Sequence, residues 1–330
     1  MYVLNADIQV ITQTGTIKFS RVNEVEIESS AKVLEDTATI RIPTTARLER
    51  QGEFISEVET AKQFAVGDQV AINLGYNGDV REEFYGYISR ILPGTPLEIQ
   101  CIDAVWLLRR KNCKGSFKNL DLADLLEEIL NGTGIELRGE IPDIRFKTYY
   151  LKNVSAASAL QELKERYGLT IYMANFNQLH VGLTSFTDNV VVKYGFGENM
   201  IENDLEWINE DDTRIRIKAV HVRKDNTKIE KEYGDQDGEL RTVYFYDLDK
   251  ASDLEKMAKA EAAKYKYTGY KGGFKTFLIP TVQVGNVARL RDKQYAERNG
   301  DYLVDKVTTT FGTSGARRKI ELGLKVSTNG

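Results

Sequence analysis

The chain has 330 residues, and at roughly 100–200 residues per domain this length allows two or three ordinary domains. Hydrophobic residues make up 42% and charged residues 28%, which is typical of a folded, soluble chain and excludes a disordered one. The 45 Lys and Arg against 49 Asp and Glu give a formal net charge of -4, which excludes a general attraction to nucleic acid.

The sequence contains no recognisable membrane or export signal. It has no apolar run of about 18 residues, the length that crosses a bilayer as a helix, and its N-terminus, MYVLNADIQV, lacks the regions of a signal peptide. Cys101 and Cys113 are its only cysteines, and no CxxC pair is present to bind zinc or form a redox centre. We therefore expect no membrane insertion, and folding in a cytoplasm.

About the first 110 residues have the two-residue periodicity of half-buried strands, as at Ile40 and Ile42. The segment FAVGDQVAINLGYNGDVREEFYGYISRI predicts two strands, with Gly67 before the first strand and Gly86 inside the second. An interior glycine marks a bulge or a tight bend, which a small closed barrel requires at its corners. With about six or seven strands in all, this region predicts a first small β-barrel over residues 1–112.

The periodicity then becomes helical. The segment NLDLADLLEEILNGTGIEL at 119–137 matches NVSAASALQELKERYGLTI at 153–171 when the two are aligned at an offset of 34 residues. A period of this length also occurs in helical solenoids, but there are only two copies and each predicted helix leads into a strand. The sequence therefore predicts an α/β domain over residues 113–185 that contains a duplicated helix-strand unit.

Strand patterns resume in the C-terminal part of the chain. We predict a second β-barrel with strand extensions from residues 186–250 and 273–330, interrupted by an inserted helix within 251–272. The expected fold is therefore mixed and β-rich (α+β): two related small β-barrels with an inserted α/β helix-strand duplication.

The C-terminal strands repeat the order of elements in the first barrel. VGDQVAINLG, EEFYGYISRI and PLEIQCID have counterparts in VGNVARLRD, NGDYLVDKV and RKIELGLKV. The predicted barrel-motif glycines are therefore Gly67 and Gly86 in the first copy and Gly285 and Gly300 in the second. Three copies of such a chain would place six barrels in a ring.

The densest acidic stretch is ENMIENDLEWINEDD at 198–212, which contains no Lys or Arg. Like-charged runs normally remain in water, so a solvated face is the ordinary interpretation. The functional alternative is an acidic collar around a lumen or a contact for a basic partner, formed by Glu206, Glu210, Asp211 and Asp212.

No reaction centre is predicted. His180 and His221 lie in strand patterns without HExxH spacing, and no serine lies in a GxSxG turn. The basic clusters Arg109-Arg110-Lys111 and Arg317-Arg318-Lys319 are interpreted as solubilising charge near strand ends, with docking onto an acidic rim as the alternative. We therefore predict no catalytic residue, no cofactor and no metal site.

Taken in combination, these patterns resemble a known family. FAVGDQVAINLGY with FYGYISRI, NVSAASALQELKERYGLTIYM followed by NQLHVG, and VQVGNVARLRD with DYLVDKVTTTF are similar to the tail or baseplate hub proteins of contractile phages. This group includes the phage late control protein D group and the hub portion of the type VI secretion spike. The resemblance implies a homotrimer in which two barrels per chain form a pseudo-sixfold ring, with the tail tube on one side and the spike on the other.

The resemblance also implies a structural role and a set of partners. We expect a non-enzymatic component of a virion tail, baseplate or injection particle, assembled in a bacterial cytoplasm, with no stable nucleic-acid binding. The implied partners are further copies of the chain, a tail tube or tube-initiator protein, a spike protein, and a baseplate wedge or tape-measure protein. Two alternatives remain: a tail-associated cell-wall hydrolase and a host-binding tail module.

Overall fold

The computed structural model describes residues 3–50, 53–182, 190–223, 227–245 and 253–326, and its secondary structure is mostly β. The N-terminal region contributes nine strands: β1 (Leu4–Thr12), β2 (Gly15–Phe19), β3 (Glu24–Ser30), β4 (Thr37–Ile42), β5 (Thr45–Arg50), β6 (Glu53–Glu59), β7 (Gln69–Tyr76), β8 (Asp79–Leu92) and β9 (Leu97–Ile102). The middle region alternates helices and strands: α1 (Val105–Arg110), β10 (Asn112–Asp121), α2 (Leu122–Leu130), β11 (Glu136–Arg138), β12 (Arg145–Ser155), α3 (Ala156–Tyr167), β13 (Thr170–Ala174) and β14 (Gln178–Gly182).

The C-terminal region returns to strands and contains one further α-helix among the residues described. Its elements are β15 (Val191–Gly195), β16 (Met200–Asn203), β17 (Glu206–Ile208), β18 (Ile215–Val222), β19 (Lys228–Gly234), β20 (Glu239–Phe245), α4 (Asp253–Tyr265), β21 (Gly269–Lys271), β22 (Gly273–Thr276), β23 (Val287–Arg291), β24 (Gly300–Gly312) and β25 (Gly315–Val326). The β-rich mixed fold expected from the sequence is confirmed. No helix among the described residues is long and apolar enough to cross a membrane.

Strands from both predicted barrels lie in one sheet. Its order is β16-β22-β25-β24-β3-β4-β9-β8-β7-β1-β2, and β23, with β15 beside it, also pairs with β24. All neighbours in this sheet are antiparallel except β15 and β23. Within the described ranges the ladder runs from one open edge to another and does not close into a barrel. The pairing of β3 with β24 joins the N-terminal and C-terminal halves.

The two halves also share a hydrophobic core. The alternating residues of the N-terminal strands, such as Ile8 and Ile40, turn inward because a strand places every second side chain on the same face. Leu278, Phe311 and Ala316 of the C-terminal half are buried in the same core. The apolar contact therefore extends across the β3–β24 junction.

The α/β region, residues 105–182, contains two strand-helix-strand units in which positions 34 apart have the same local geometry. Asp121 and Ser155 begin helices α2 and α3, and the side chain of each accepts a hydrogen bond from the amide three residues later, at 2.9 and 3.1 Å. Gly134 and Gly168 follow these helices with φ values of 72° and 63°. The 34-residue sequence offset therefore relates equivalent starts of the two helices, whereas α2 ends at Leu130 and α3 continues to Tyr167.

Strands β18, β19 and β20 form a separate sheet. Its order is β19-β18-β20, and helix α4 covers one face of it. Ile215, Ile217 and Ala219 of β18 are buried together with apolar residues of α4. At the far end of β18, Val220 and Val222 instead join the core of the α/β region. Strand β18 therefore lies between two hydrophobic cores.

Candidate functional site: two equivalent turns and the junction between the halves

The first of two related turns, Ala65–Asp68, precedes strand β7. Gly67 has a φ of 98°, a conformation that residues with a side chain rarely adopt. The amide of Ala65 donates to Oδ2 of Asp68 at 2.8 Å, and the amide of Asp68 donates to the carbonyl of Ala65 at 3.1 Å. The amide of Gly67 donates to the carbonyl of Ile88 at 2.8 Å, and the amide of Ile88 donates to the carbonyl of Asp68 at 2.9 Å. These bonds fasten the turn to strand β8.

The second turn, Gln283–Asn286, precedes strand β23 and repeats each of these bonds. Gly285 has a φ of 86°. The amide of Gln283 donates to Oδ1 of Asn286 at 2.8 Å, and the amide of Asn286 donates to the carbonyl of Gln283 at 3.2 Å. Gly285 donates to the carbonyl of Val304 at 3.0 Å, and Val304 donates to the carbonyl of Asn286 at 2.9 Å. The structure therefore gives Gly67 and Gly285 equivalent positions.

Gly86 permits a close approach of three strands. It lies opposite Val70 of β7, and a Cβ atom at this position would lie 2.3 Å from the carbonyl oxygen of Ile102 in β9. At the next residue, Tyr87, strand β8 pairs with both β7 and β9. The bend expected from an interior glycine is therefore the point at which β8 exchanges one partner for the other.

Gly300 does not lie at the position equivalent to Gly86. Opposite Ala288, the second residue after the second turn, the structure places Tyr302. Gly300 lies two residues earlier and pairs with Leu290, and a Cβ there would lie 2.8 Å from the hydroxyl of Tyr302. A side chain would cause a steric clash at either position. At Gly86 the clash would be with the backbone of a neighbouring strand, and at Gly300 it would be with the side chain of Tyr302.

Arg318 of β25 is fully buried at the junction of the two halves, which corrects its interpretation as solubilising charge. Its Nη2 donates to both carboxylate oxygens of Glu83, at 2.6 and 2.5 Å. Its Nη1 donates to the carbonyls of Leu278 and Pro280, at 2.8 and 3.4 Å, and its Nε donates to Oγ1 of Thr309 at 3.4 Å. The donors of the guanidinium group are thus all directed at acceptors, as burial of an arginine requires.

Glu83 reaches this position because it is the extra residue of a β-bulge. Phe84 and Glu82 pair with consecutive residues of β7, which leaves Glu83 between them without a partner in the ladder. Burial raises the pKa of the Glu83 carboxyl, and the adjacent Arg318 guanidinium counteracts part of that effect. Sequence alternation contains one signal for this site, because Arg318 shares its strand face with Ala316 and Ile320, which are both buried.

A cavity of about 70 Å³ lies where both halves meet the α/β region. Its lining includes Glu83 and Thr309 from the contacts around Arg318, Gln283 from the second turn, Arg138 from β11, and Asp36, which precedes β4. A polar cavity of this size is suited to ordered water. The cavity therefore connects the second turn to the buried ion pair through polar side chains.

Asp36 and Asp103 form a carboxyl pair beside this cavity. Asp103 accepts hydrogen bonds from the amides of Asp36 and Val105, at 2.7 and 2.8 Å, whereas Asp36 accepts one from the amide of Ser30 at 3.3 Å. Burial raises the pKa of Asp36 to about 7 and also raises the pKa of Asp103. Both Asp103 oxygens accept backbone N–H groups and Asp36 accepts one, so the pair holds the backbone in place and we assign it a structural role.

The acidic residues predicted as a lumen or partner contact are all exposed. Glu206 lies in β17, and Glu210, Asp211 and Asp212 form a 3₁₀ turn before β18. No ion pair to any of the four occurs in the described parts of the chain. Trp207 anchors the segment, because its ring packs edge-on against Tyr270 at 4.8 Å between centroids. The segment is therefore a fixed, uncompensated acidic surface.

The residues described contain no metal centre. Among them, no group of three or more His, Cys, Asp or Glu side chains is arranged to hold a metal ion. His180 and His221 are buried, His180 against Tyr172 and His221 with its Nδ1 at 3.1 Å from the carbonyl of Phe245. Both histidines are therefore part of the packed interior.

Comparisons with known proteins give matches only at the level of three-dimensional structure. No protein-family profile matches the sequence. No curated protein matches it either.

Three solved structures have similar folds over nearly the whole chain. The 43 kDa tail protein of prophage MuSo2 from Shewanella oneidensis has a TM-score of 0.63 and 14% identity over 97% of each chain. A tail protein from Neisseria meningitidis MC58 has a TM-score of 0.63 and 14% identity, over 98% of this chain and 97% of that chain. The c3393 protein of E. coli, a component of the type VI secretion system, has a TM-score of 0.57 and 9% identity, over 93% of this chain and 74% of that chain. The chain therefore has the fold of phage tail proteins and of a type VI secretion component, the group expected from the resemblance in its sequence.

Proposed function

We propose that the chain is a structural hub of a phage tail or of a phage-tail-like injection particle. In this proposal three copies form a ring, and the ring adapts a sixfold tail tube to a threefold spike. The tail-protein fold supports the general role. The observation that carries the adaptor role is the pair of equivalent turns at Gly67 and Gly285, because a threefold assembly of chains with two such positions presents six similar ones.

The adaptor role requires rigid interfaces between proteins and does not require a catalysed reaction. Each turn is fastened to a long strand, β8 or β24, so a partner that binds a turn also contacts the continuous sheet. We propose that the two halves act as barrel-like units, and that the partners are the tail tube or tube-initiator protein, the spike protein, and a baseplate wedge or tape-measure protein. The particle would be assembled in a bacterial cytoplasm.

We also propose that Glu206, Glu210, Asp211 and Asp212 form a lumen or partner contact. Their charge is not compensated by ion pairs within the described residues, so reversal of that charge should alter contacts between molecules more than the fold. A variant with Glu210, Asp211 and Asp212 changed to Lys should retain the circular dichroism of the wild type but impair particle assembly or delivery. Unchanged particle yield and infectivity would contradict this role.

The hub proposal is tested by native mass spectrometry and electron microscopy of the purified chain. The expected result is a species with three times the mass of one chain and a ring with six similar lobes that binds the tail tube protein of the same particle. A monomer, or a ring of six copies, would overturn the adaptor role. Reproducible lysis of cell wall by the purified chain in a zymogram would instead favour a hydrolase.

A further inference from the structure

The two-stranded sheet of β10 and β12 has one face packed against helices and one face in solvent. On the inner side Phe146, Tyr149 and Leu151 are buried in the core of the α/β region with α2 and α3. We call the opposite, exposed side the basic face; it comprises Lys114, Ser116, Lys118, Thr148, Tyr150 and Lys152. No carboxylate is present at these positions.

The cross-strand register concentrates positive charge on the basic face. Lys114 lies directly opposite Lys152. Lys118 lies on the same face of β10, four residues after Lys114. Tyr150 lies between these lysines, opposite Ser116, and is 60% exposed. Like charges directly opposite each other destabilise a sheet, and a large exposed aromatic side chain adds no burial in the isolated chain. Neither feature stabilises the fold, and both suit an interface.

The charge of the three lysines has no ion-pair partner among the residues described. No ion pair to Lys114, Lys118 or Lys152 occurs in the parts of the chain that the structure describes. The same is true of the acidic segment, defined as Glu206, Glu210, Asp211 and Asp212. The molecule therefore presents two uncompensated surfaces of opposite charge on separate elements, β10–β12 and β17 with the turn before β18.

We propose that the basic face of one copy binds the acidic segment of a second copy of this chain. The proposal rests on the proposed function, since it supplies a contact for that assembly. Two different surfaces that meet head to tail make a heterologous contact, and such contacts form a ring when the rotation between successive copies closes. A second copy fits better than a nucleic acid, because the net charge of -4 opposes a polyanion as a whole while the two surfaces are complementary to each other.

The contact is tested by zero-length cross-linking between isotopically labelled and unlabelled chains. A carbodiimide joins a lysine amine to a carboxylate only when the two are in contact, and the mixed labels distinguish links between chains from links within one. We expect mixed-label links from Lys114, Lys118 or Lys152 to residues of the acidic segment. Mixed-label links confined to other surfaces, or a chain that remains monomeric, would overturn the proposal.

Charge-reversal variants provide a second test of the contact. Lys114→Glu with Lys152→Glu should weaken self-association at least about tenfold, and added salt should weaken the wild type in the same direction. Adding Glu210→Lys and Asp211→Lys to the same chain should restore part of the association, because the two reversed lysine positions can then pair with two reversed carboxylate positions. The control, Lys18→Glu with Lys231→Glu, makes the same change of net charge on exposed positions of β2 and β19 and should have little effect.

The outcomes separate this inference from the hub proposal. A trimer that persists unchanged after reversal of the basic face would overturn the contact and leave the hub intact. An assembly of another copy number that still gives the expected links would retain the contact and overturn the threefold hub. DNA binding that is lost with Lys114→Glu and Lys152→Glu, without cross-links to the acidic segment, would assign the face to nucleic acid and overturn the proposal.

Discussion

Arg318 and Glu83 are 235 positions apart in the chain and form a buried ion pair in which Nη2 of Arg318 donates to both carboxylate oxygens of Glu83. Arg318 belongs to β25 in the C-terminal half, and Glu83 belongs to the bulge of β8 in the N-terminal half. A buried pair of this kind adds less stability than its short distances suggest, because both charges lose their hydration. Its main effect is on specificity, because any other arrangement of the two halves would leave one of the two charges buried without a partner.

Replacing Arg318 alone should therefore strongly destabilise the fold. We expect Arg318→Met to lower the free energy of unfolding, measured by urea denaturation, by about 3–5 kcal/mol, because it strands the Glu83 carboxyl and two backbone carbonyls. Adding Glu83→Leu should recover part of this loss. The neighbouring Lys319→Met is the control and should change stability by less than about 0.5 kcal/mol. Equal effects of the two single variants would show that the ion pair is unimportant.

The two equivalent turns should respond alike to loss of their side-chain acceptors. Asp68→Ala and Asn286→Ala each remove the oxygen that accepts the amide three residues earlier, and each should cost about 1 kcal/mol in thermal or urea unfolding. Asp68→Asn is the matched control, because it keeps an acceptor of the same shape. A neutral Asn286→Ala beside a costly Asp68→Ala would mean that the turns are not energetically equivalent.

Gly86 should tolerate no side chain. Gly86→Ala places a methyl group against the Ile102 carbonyl and should destabilise the fold by about 1–3 kcal/mol or separate β8 from β9. Gly94→Ala is the control, because its nearest backbone atom, the carbonyl oxygen of Pro96, would lie 3.3 Å from the new carbon. Melting temperatures of the two variants test the difference, and similar values would argue against a close approach at Gly86.

Asp36 should make stability depend on pH. Its folded-state pKa, about 7, lies above the ordinary value of 3.8, so the folded chain binds more protons than the unfolded chain within that window. The free energy of unfolding should therefore fall as pH rises from about 4 to about 7. Asp36→Asn should reduce this slope, to which the raised pKa of Asp103 also contributes, and should be more stable than the wild type at pH 8 by about 1 kcal/mol or more. Asp211→Asn, at an exposed position, is the control; an unchanged slope in Asp36→Asn would assign the effect elsewhere.

Local patterns in the sequence predict local structure well. Alternation predicts the strands, and the matched segments around Asp121 and Ser155 predict two helices that begin in the same way. The turns at Gly67 and Gly285 are also predictable, because a glycine with positive φ followed by Asp or Asn has a strong local preference for a turn. These features depend on neighbours within a few residues.

Features that depend on distant neighbours could not be predicted. The strands were expected in two barrels, but alternation does not specify partners and gave no sign that β24 pairs with β3. Alternation places Arg318 on a strand face with buried neighbours, but it does not identify Glu83 as the partner that makes burial of the charge possible. Likewise, Lys114 and Lys152 are far apart in the sequence, and only the cross-strand register brings them together.

The continuity of β24 determines how the molecule would carry a mechanical load. At one end this strand receives the turn of Gly285, and towards the other it pairs with β3 from Lys306 opposite Ser30 to Gly312 opposite Glu24. A pull along the axis of β24 loads these perpendicular hydrogen bonds in shear, so they resist together and do not open one after another. Force applied at the turn of Gly285 therefore passes along the backbone of β24 and through its hydrogen bonds with β3 into the other half of the chain.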